Sequence, residues 1–103
     1  MIKVSVMYPN SEGATFDIDY YCNTHIPMVG ELLGDALKGG AVDSGLAGGS
    51  PGEAAPFIAM GHITFESVET FQESFGPNAE KIMADIPHFT NVQPLIQISE
   101  IKI

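Results

Sequence analysis

Apolar and polar side chains alternate at the start of the chain. Ile2, Val4, Val6 and Tyr8 fall on one side, Lys3, Ser5 and Met7 on the other, and this period of two predicts a β-strand over 2–8. Pro9-Asn10-Ser11-Glu12-Gly13 ends it with turn-forming residues. The period then lengthens. Ile18, Tyr21, Cys22, His25, Val29, Leu32 and Leu33 recur at helical spacing and share one face. Thr15 or Asp17 can cap this helix, Asp19 suits the positive end of its dipole, and Gly34 is a natural stop. Pro27 lacks the amide proton a helix interior needs, so the helix should bend or split near His25-Ile26.

Residues 35–56 are rich in Gly, Ala and Ser and hold a weak second strand between Ala36 and Leu46, followed by a loop at Gly48-Gly49-Ser50-Pro51-Gly52. Phe57 to Phe65 reads as a third strand, apolar on both faces except for His62 and Thr64, and therefore covered on both sides. Ser67 caps a second helix with Val68, Phe71, Phe75, Ile82 and Met83 on its apolar face, interrupted at Gly76-Pro77 and ended by Asp85-Ile86-Pro87. The last strand is expected from about Val92 to Ile103. Ile96 and Ile98 share a face while Ile101 and Ile103 are out of phase, which predicts a bulge at Ser99-Glu100.

The order βαββαβ is the split βαβ pattern of an α+β, ferredoxin-like fold: an antiparallel four-stranded sheet with two helices on one face. No linker or repeat divides 1–103, so one domain is expected. Two helices leave the other sheet face uncovered, and an apolar second face calls for a second copy of the sheet. A two-fold homodimer is the economical answer.

Charge narrows the partners. Thirteen acidic residues face four lysines and no arginine, a formal charge of −9. Such a field repels phosphate backbones and anionic headgroups, so neither nucleic acid nor a membrane surface is an expected partner. One cysteine, Cys22, fits a reducing compartment, and with no signal-like apolar run at the N-terminus a cytoplasmic location is expected. Cys22 has no basic neighbour in sequence and reads as a core thiol.

Chemistry centres on histidine. Asp17, Tyr21 and His25 stand at i, i+4 and i+8, along one helical stripe. A histidine among apolar residues exchanges protons near neutral pH if a substrate reaches it; otherwise it is a core residue satisfied by a tyrosine or a carbonyl. His62, in mid-strand, could line the same pocket or face a dimer interface. Tyr20 and Tyr21 are adjacent, so one points inward, where its hydroxyl could orient a substrate. His88-Phe89-Thr90-Asn91 could close the pocket mouth or serve only as a turn. Two histidines lack the third ligand and spacing of a zinc site, so no metal is expected.

Phe16-Asp17-Ile18-Asp19-Tyr20-Tyr21-Cys22-Asn23-Thr24-His25-Ile26-Pro27-Met28-Val29 resembles the signature of the EthD family. So do the run from Gly61 to Gln72 and the stretch from Asp85 to Pro94. The resemblance implies a dimeric α+β barrel, named for a gene cluster that degrades ethyl tert-butyl ether. Similar barrels include cofactor-free monooxygenases, cyclases, isomerases and haem enzymes. No haem-ligand motif stands here beyond a lone histidine, so no cofactor is expected. The resulting expectation is a catabolic protein with a pocket for a small apolar organic molecule. His25 would be its acid/base, Tyr21 and His62 would orient the substrate, and Asp17, Tyr20, Met28, Met60, Phe89 and Asn91 would line the site. Oxygenation, isomerisation or hydrolysis are the candidate reactions; the alternative is a non-catalytic accessory protein that binds an intermediate or a partner oxygenase.

Overall fold

The computed structural model describes residues 1–103. Alternation at the N-terminus becomes β1 (Ile2–Pro9), the central strand that pairs antiparallel with β3 (Phe57–Phe65) and β4 (Leu95–Glu100). Strand β2 (Gly39–Ser44) pairs antiparallel with β3, giving the sheet order β2-β3-β1-β4. Two helical arms cross this sheet. The first comprises α1 (Ile18–Tyr20), a π turn (Tyr21–His25) and α2 (Ile26–Leu33). The second comprises α3 (Val68–Phe75) and α4 (Ala79–Asp85), joined by a 3-10 turn at Gly76–Asn78 and extended by another at Ile86–His88. This is the ferredoxin-like α+β fold.

Local chemistry accounts for the boundaries. Asp17 caps α1 by accepting the Tyr20 N–H, and Ser67 caps α3 by accepting that of Thr70. Pro27 cannot donate, and the ladder shifts one residue ahead of it: the Ile26 N–H reaches back five residues to the Tyr21 carbonyl. The predicted interruption is therefore a π turn, and the helix runs on through it.

The core lies between helices and sheet. Ile2, Val4, Val29, Leu33, Phe65 and Ile82 form one buried cluster, and Tyr8, Tyr21, Ala59 and Phe89 form a second. Phe65 has no exposed surface, and truncating such a side chain costs about 3–5 kcal/mol.

Four expectations are corrected. Cys22 is exposed, because the π turn directs Tyr21 and His25 inward and leaves 22–24 outside. Strand β4 ends at Glu100 with its register unbroken, so no bulge lies at Ser99-Glu100; the chain leaves the sheet there, and the irregularity falls at Tyr8/Pro9 instead. Strand β3 is not apolar on both faces: His62 and Thr64 pair with Ser5 and Lys3 on the side away from the helices. That outer face is mostly polar, carrying Lys3, Ser5, Asp43, His62, Thr64, Gln97 and Ser99, with apolar Met7, Met60 and Leu95 at one end. The apolar surface left open is on β4. Ile96 and Ile98 share the helix side with Val6 and Val4, yet are 51% and 43% exposed because neither helical arm reaches that edge.

Candidate functional site

Between the helices and the sheet is a cavity of about 90 Å³, walled chiefly by Val4, Val6, Val29, Ile63, Phe71 and Ile82. Tyr21 and His25 are its polar side chains together with Tyr8. Its mouth lies at Met83 and Ile96, both substantially exposed, and those residues with Ile86 and Pro94 also line a 490 Å³ outer recess. The recess continues along Pro87, Thr90, Asn91, Val92 and Gln93.

His25 is delivered to this cavity by the π turn. Its ring is 4% exposed and lies under that of Tyr21, with centroids 5.5 Å apart and planes 15° from parallel. Phe89 leans on it at 4.7 Å. Phe89 is in turn fixed by the strand-like bridge between Phe16 and Thr90, by the Asp17 N–H donating to its carbonyl at 2.7 Å, and by Thr90 Oγ1 donating to the Thr15 carbonyl at 2.7 Å. Tyr8, Phe16, Tyr21 and Phe89 meet in all six pairings, with centroids 5.0–5.8 Å apart. Edge-on and tilted contacts of this kind each add about 0.5–1.5 kcal/mol beyond area burial.

Polar contacts orient the imidazole. Nδ1 of His25 donates to Oδ2 of Asp85 at 2.8 Å. Oδ1 of the same carboxylate accepts the Tyr20 hydroxyl at 2.8 Å and stands 3.0 Å from His88 Nδ1. Burial pushes the Asp85 carboxyl up, but the hydrogen bonds from His25, Tyr20 and His88 outweigh it and hold the group below its ordinary value of 3.8. Tyr20, donating to that carboxylate, has its phenol pushed up. No protein group bonds Nε2 of His25. Every fully buried side-chain polar atom has a partner, so Nε2 must retain accessible surface, and the cavity is what the ring borders.

Tyr21 presses its hydroxyl onto Gly61, where any Cβ would overlap it. Burial pushes its pKa up to about 12, even though the Tyr8 hydroxyl beside it lowers it. Tyr8 is raised further, again by burial. At neutral pH both phenols keep their protons, so Tyr21 can act as a donor and not as a base.

His62 does not share this cavity. It lies on the outer sheet face, where Ser5 Oγ is 2.9 Å from its Nδ1 and Asp43 Oδ2 is 3.2 Å from its Nε2, beside a shallow 350 Å³ recess. Ser, His and Asp are the residue types of a nucleophilic triad. Strands β1 and β3 are each paired on both sides, however, so the ladder engages their amides and leaves no free N–H pair for an oxyanion. Met60 belongs to the same outer face, and Met28 packs on the apolar core away from the cavity. Asp17 is an exposed helix cap. Asn91 ties down Thr15 and Gly13 through its side-chain amide while lining the outer recess. The sequence reading passed over Asp85 as a helix terminator; its partner His25 is 60 residues away in the chain. No group of three His, Cys, Asp or Glu side chains is arranged to hold a metal ion. No helix is long and apolar enough to cross a membrane.

The EthD domain family model matches residues 13–93, more than half of the chain, including both helical arms and β3 of the cavity wall but not β1. The chain belongs to the EthD family. An EthD-like protein from Ralstonia eutropha JMP134 superposes with a TM-score of 0.95 at 42% identity, over 99% of this chain and 92% of that one. An ethyl tert-butyl ether D (EthD) family protein from Bacillus halodurans C-125 superposes with a TM-score of 0.73 over 98% of both chains; at 22% identity this likeness shows the fold alone. No curated protein matches the chain. EthD membership thus settles the fold, and function must be argued from the cavity.

Proposed function

We propose that this EthD protein is a cytoplasmic homodimer that binds a small, mostly apolar organic molecule in the helix–sheet cavity, with His25 as its acid/base. One observation carries the reading: Asp85 occupies Nδ1 of a buried histidine whose Nε2 is left to an apolar cavity. Asp85 accepts a hydrogen bond, so the Nδ1 position keeps the proton and Nε2 offers its lone pair. A ligand C–H or O–H next to a carbonyl is the group such a base removes, and protonated Nε2 can return the proton to another atom of the ligand. Tyr21 can donate to the oxygen that gains charge. Of the candidate reactions, isomerisation uses only these groups; cofactor-independent oxygenation would start from the same deprotonation.

The accessory reading draws support from the inner cavity, which at about 90 Å³ is smaller than the ~300–1,000 Å³ typical of ligand sites. Ligands larger than a few atoms must extend through the Met83–Ile96 mouth. The test is a panel of small ketones, phenols and lactones, ranked by thermal shift and then assayed for turnover. For any converted compound, His25→Ala should lower the rate by about 10²–10⁴-fold while the compound still binds. A rate unchanged in His25→Ala would remove His25 from the chemistry.

A further inference from the structure

The ring of His25 has two outlets. Tyr21 covers one ring face, Phe89 leans on it, and the side chain is only 5% exposed. Nε2 meets the cavity, which a bound ligand would fill; Nδ1 meets Asp85. Asp85 is shared in turn, with Oδ1 at 3.0 Å from His88 Nδ1. Side-chain exposure climbs along this row, from 5% at His25 to 13% at Asp85 and 66% at His88. Tyr20 steadies the carboxylate from the side, its hydroxyl lying 2.8 Å from Oδ1 and 3.4 Å from His88 Nδ1.

We infer that Asp85 and His88 form a proton conduit joining the enclosed His25 to bulk solvent, an inference that rests on His25 acting as an acid/base. After Nε2 has taken a proton from the ligand, the Nδ1–H bond breaks and an O–H bond forms at Asp85 Oδ2. His25 is then neutral, with its proton on Nε2. His88, whose Nδ1–H donates to the carboxylate at rest, is 66% exposed and changes tautomer through water, giving up the Nδ1 proton and taking one on Nε2. A half-turn of the carboxyl about Cβ–Cγ then carries the Asp85 proton to the bare His88 Nδ1, the O–H bond breaks, and His88 releases its Nε2 proton to water, which restores its Nδ1–H form. Asp85 is again a carboxylate, and no electrons change hands. The reverse path restores Nδ1–H once Nε2 has given its proton to the product.

The test is the exchange of the His25 Nδ1 proton with water, followed by NMR on ¹⁵N-histidine-labelled protein at neutral pH, and it needs no substrate. His88→Ala should slow this exchange by about 10²-fold, the lower range of what a positioned proton-transfer group contributes. Added imidazole should restore the rate, a rescue that a merely structural role for His88 would not give. Exchange in His88→Ala equal to the wild type, with the Nδ1–H signal still that of a carboxylate-bonded proton, overturns the conduit. Titration with phenol separates this outcome from failure of the cavity reading. Phenol that shifts Nε2 while His88→Ala exchanges normally sinks the conduit alone; phenol that leaves Nε2 untouched while His88→Ala exchanges slowly sinks the cavity reading alone.

Discussion

Single side chains set the chemistry of this site. Asp85 is the sharpest case, a carboxylate 13% exposed that collects three hydrogen-bonding neighbours. Its folded pKa is depressed, so the stability it contributes is present above the ordinary carboxylate value and lost as pH falls through the folded one. Thermal stability should accordingly fall below about pH 4. Asp85→Asn should cost about 1.5–3 kcal/mol at pH 7 and flatten this acid limb, measured as urea unfolding from pH 2 to 7. Equal acid limbs in variant and wild type would remove Asp85 as the linked group. Gly61 is the second case. Its missing Cβ is the space the Tyr21 hydroxyl occupies, so Gly61→Ala overpacks the site. A loss of about 1–3 kcal/mol is expected, with the Tyr21 and His25 ring signals displaced together.

Elements translate those choices into position. The π turn brings Tyr21 and His25 into parallel contact, and the 86–92 segment clamps Phe89 behind them. Thr90→Val removes the Oγ1 bond to the Thr15 carbonyl; calorimetry should show about 1–3 kcal/mol of destabilisation. Broadened His25 signals should accompany it if the clamp positions the ring; sharp signals would show that Phe89 stands without it. Much of this scale was legible in sequence: the period-two start, the caps at Asp17 and Ser67, and an interruption at Pro27. The kind of interruption was not, because a proline removes a donor without saying whether the helix breaks or takes up a wider turn. Alternation showed that His62 and Thr64 share a face; which face the helices would cover depended on packing between distant segments. The His25–Asp85 pairing was hidden for the same reason, since nothing local in either segment advertises a partner 60 residues away.

On the scale of the molecule, the sheet's outer face is mostly polar, and β4 leaves apolar side chains open on both sides, Leu95 on the outer face and Ile96 and Ile98 on the helix side. That edge strand also presents unpaired backbone groups, and natural proteins cover such edges or charge them. Sedimentation should find a homodimer that Ile98→Lys dissociates, and added salt should tighten it by screening the −9 charge of each chain. A wild-type monomer at micromolar concentration would withdraw the dimer and leave the cavity mouth open to water. The most direct test of the whole account is a crystal soaked with phenol. Density for the ring against Val29 and Ile63, with its hydroxyl within hydrogen-bonding distance of His25 Nε2 and Asp85 still on Nδ1, is the predicted result. Phenol found only outside the helix–sheet cavity, or beside His62 on the outer face, would contradict it.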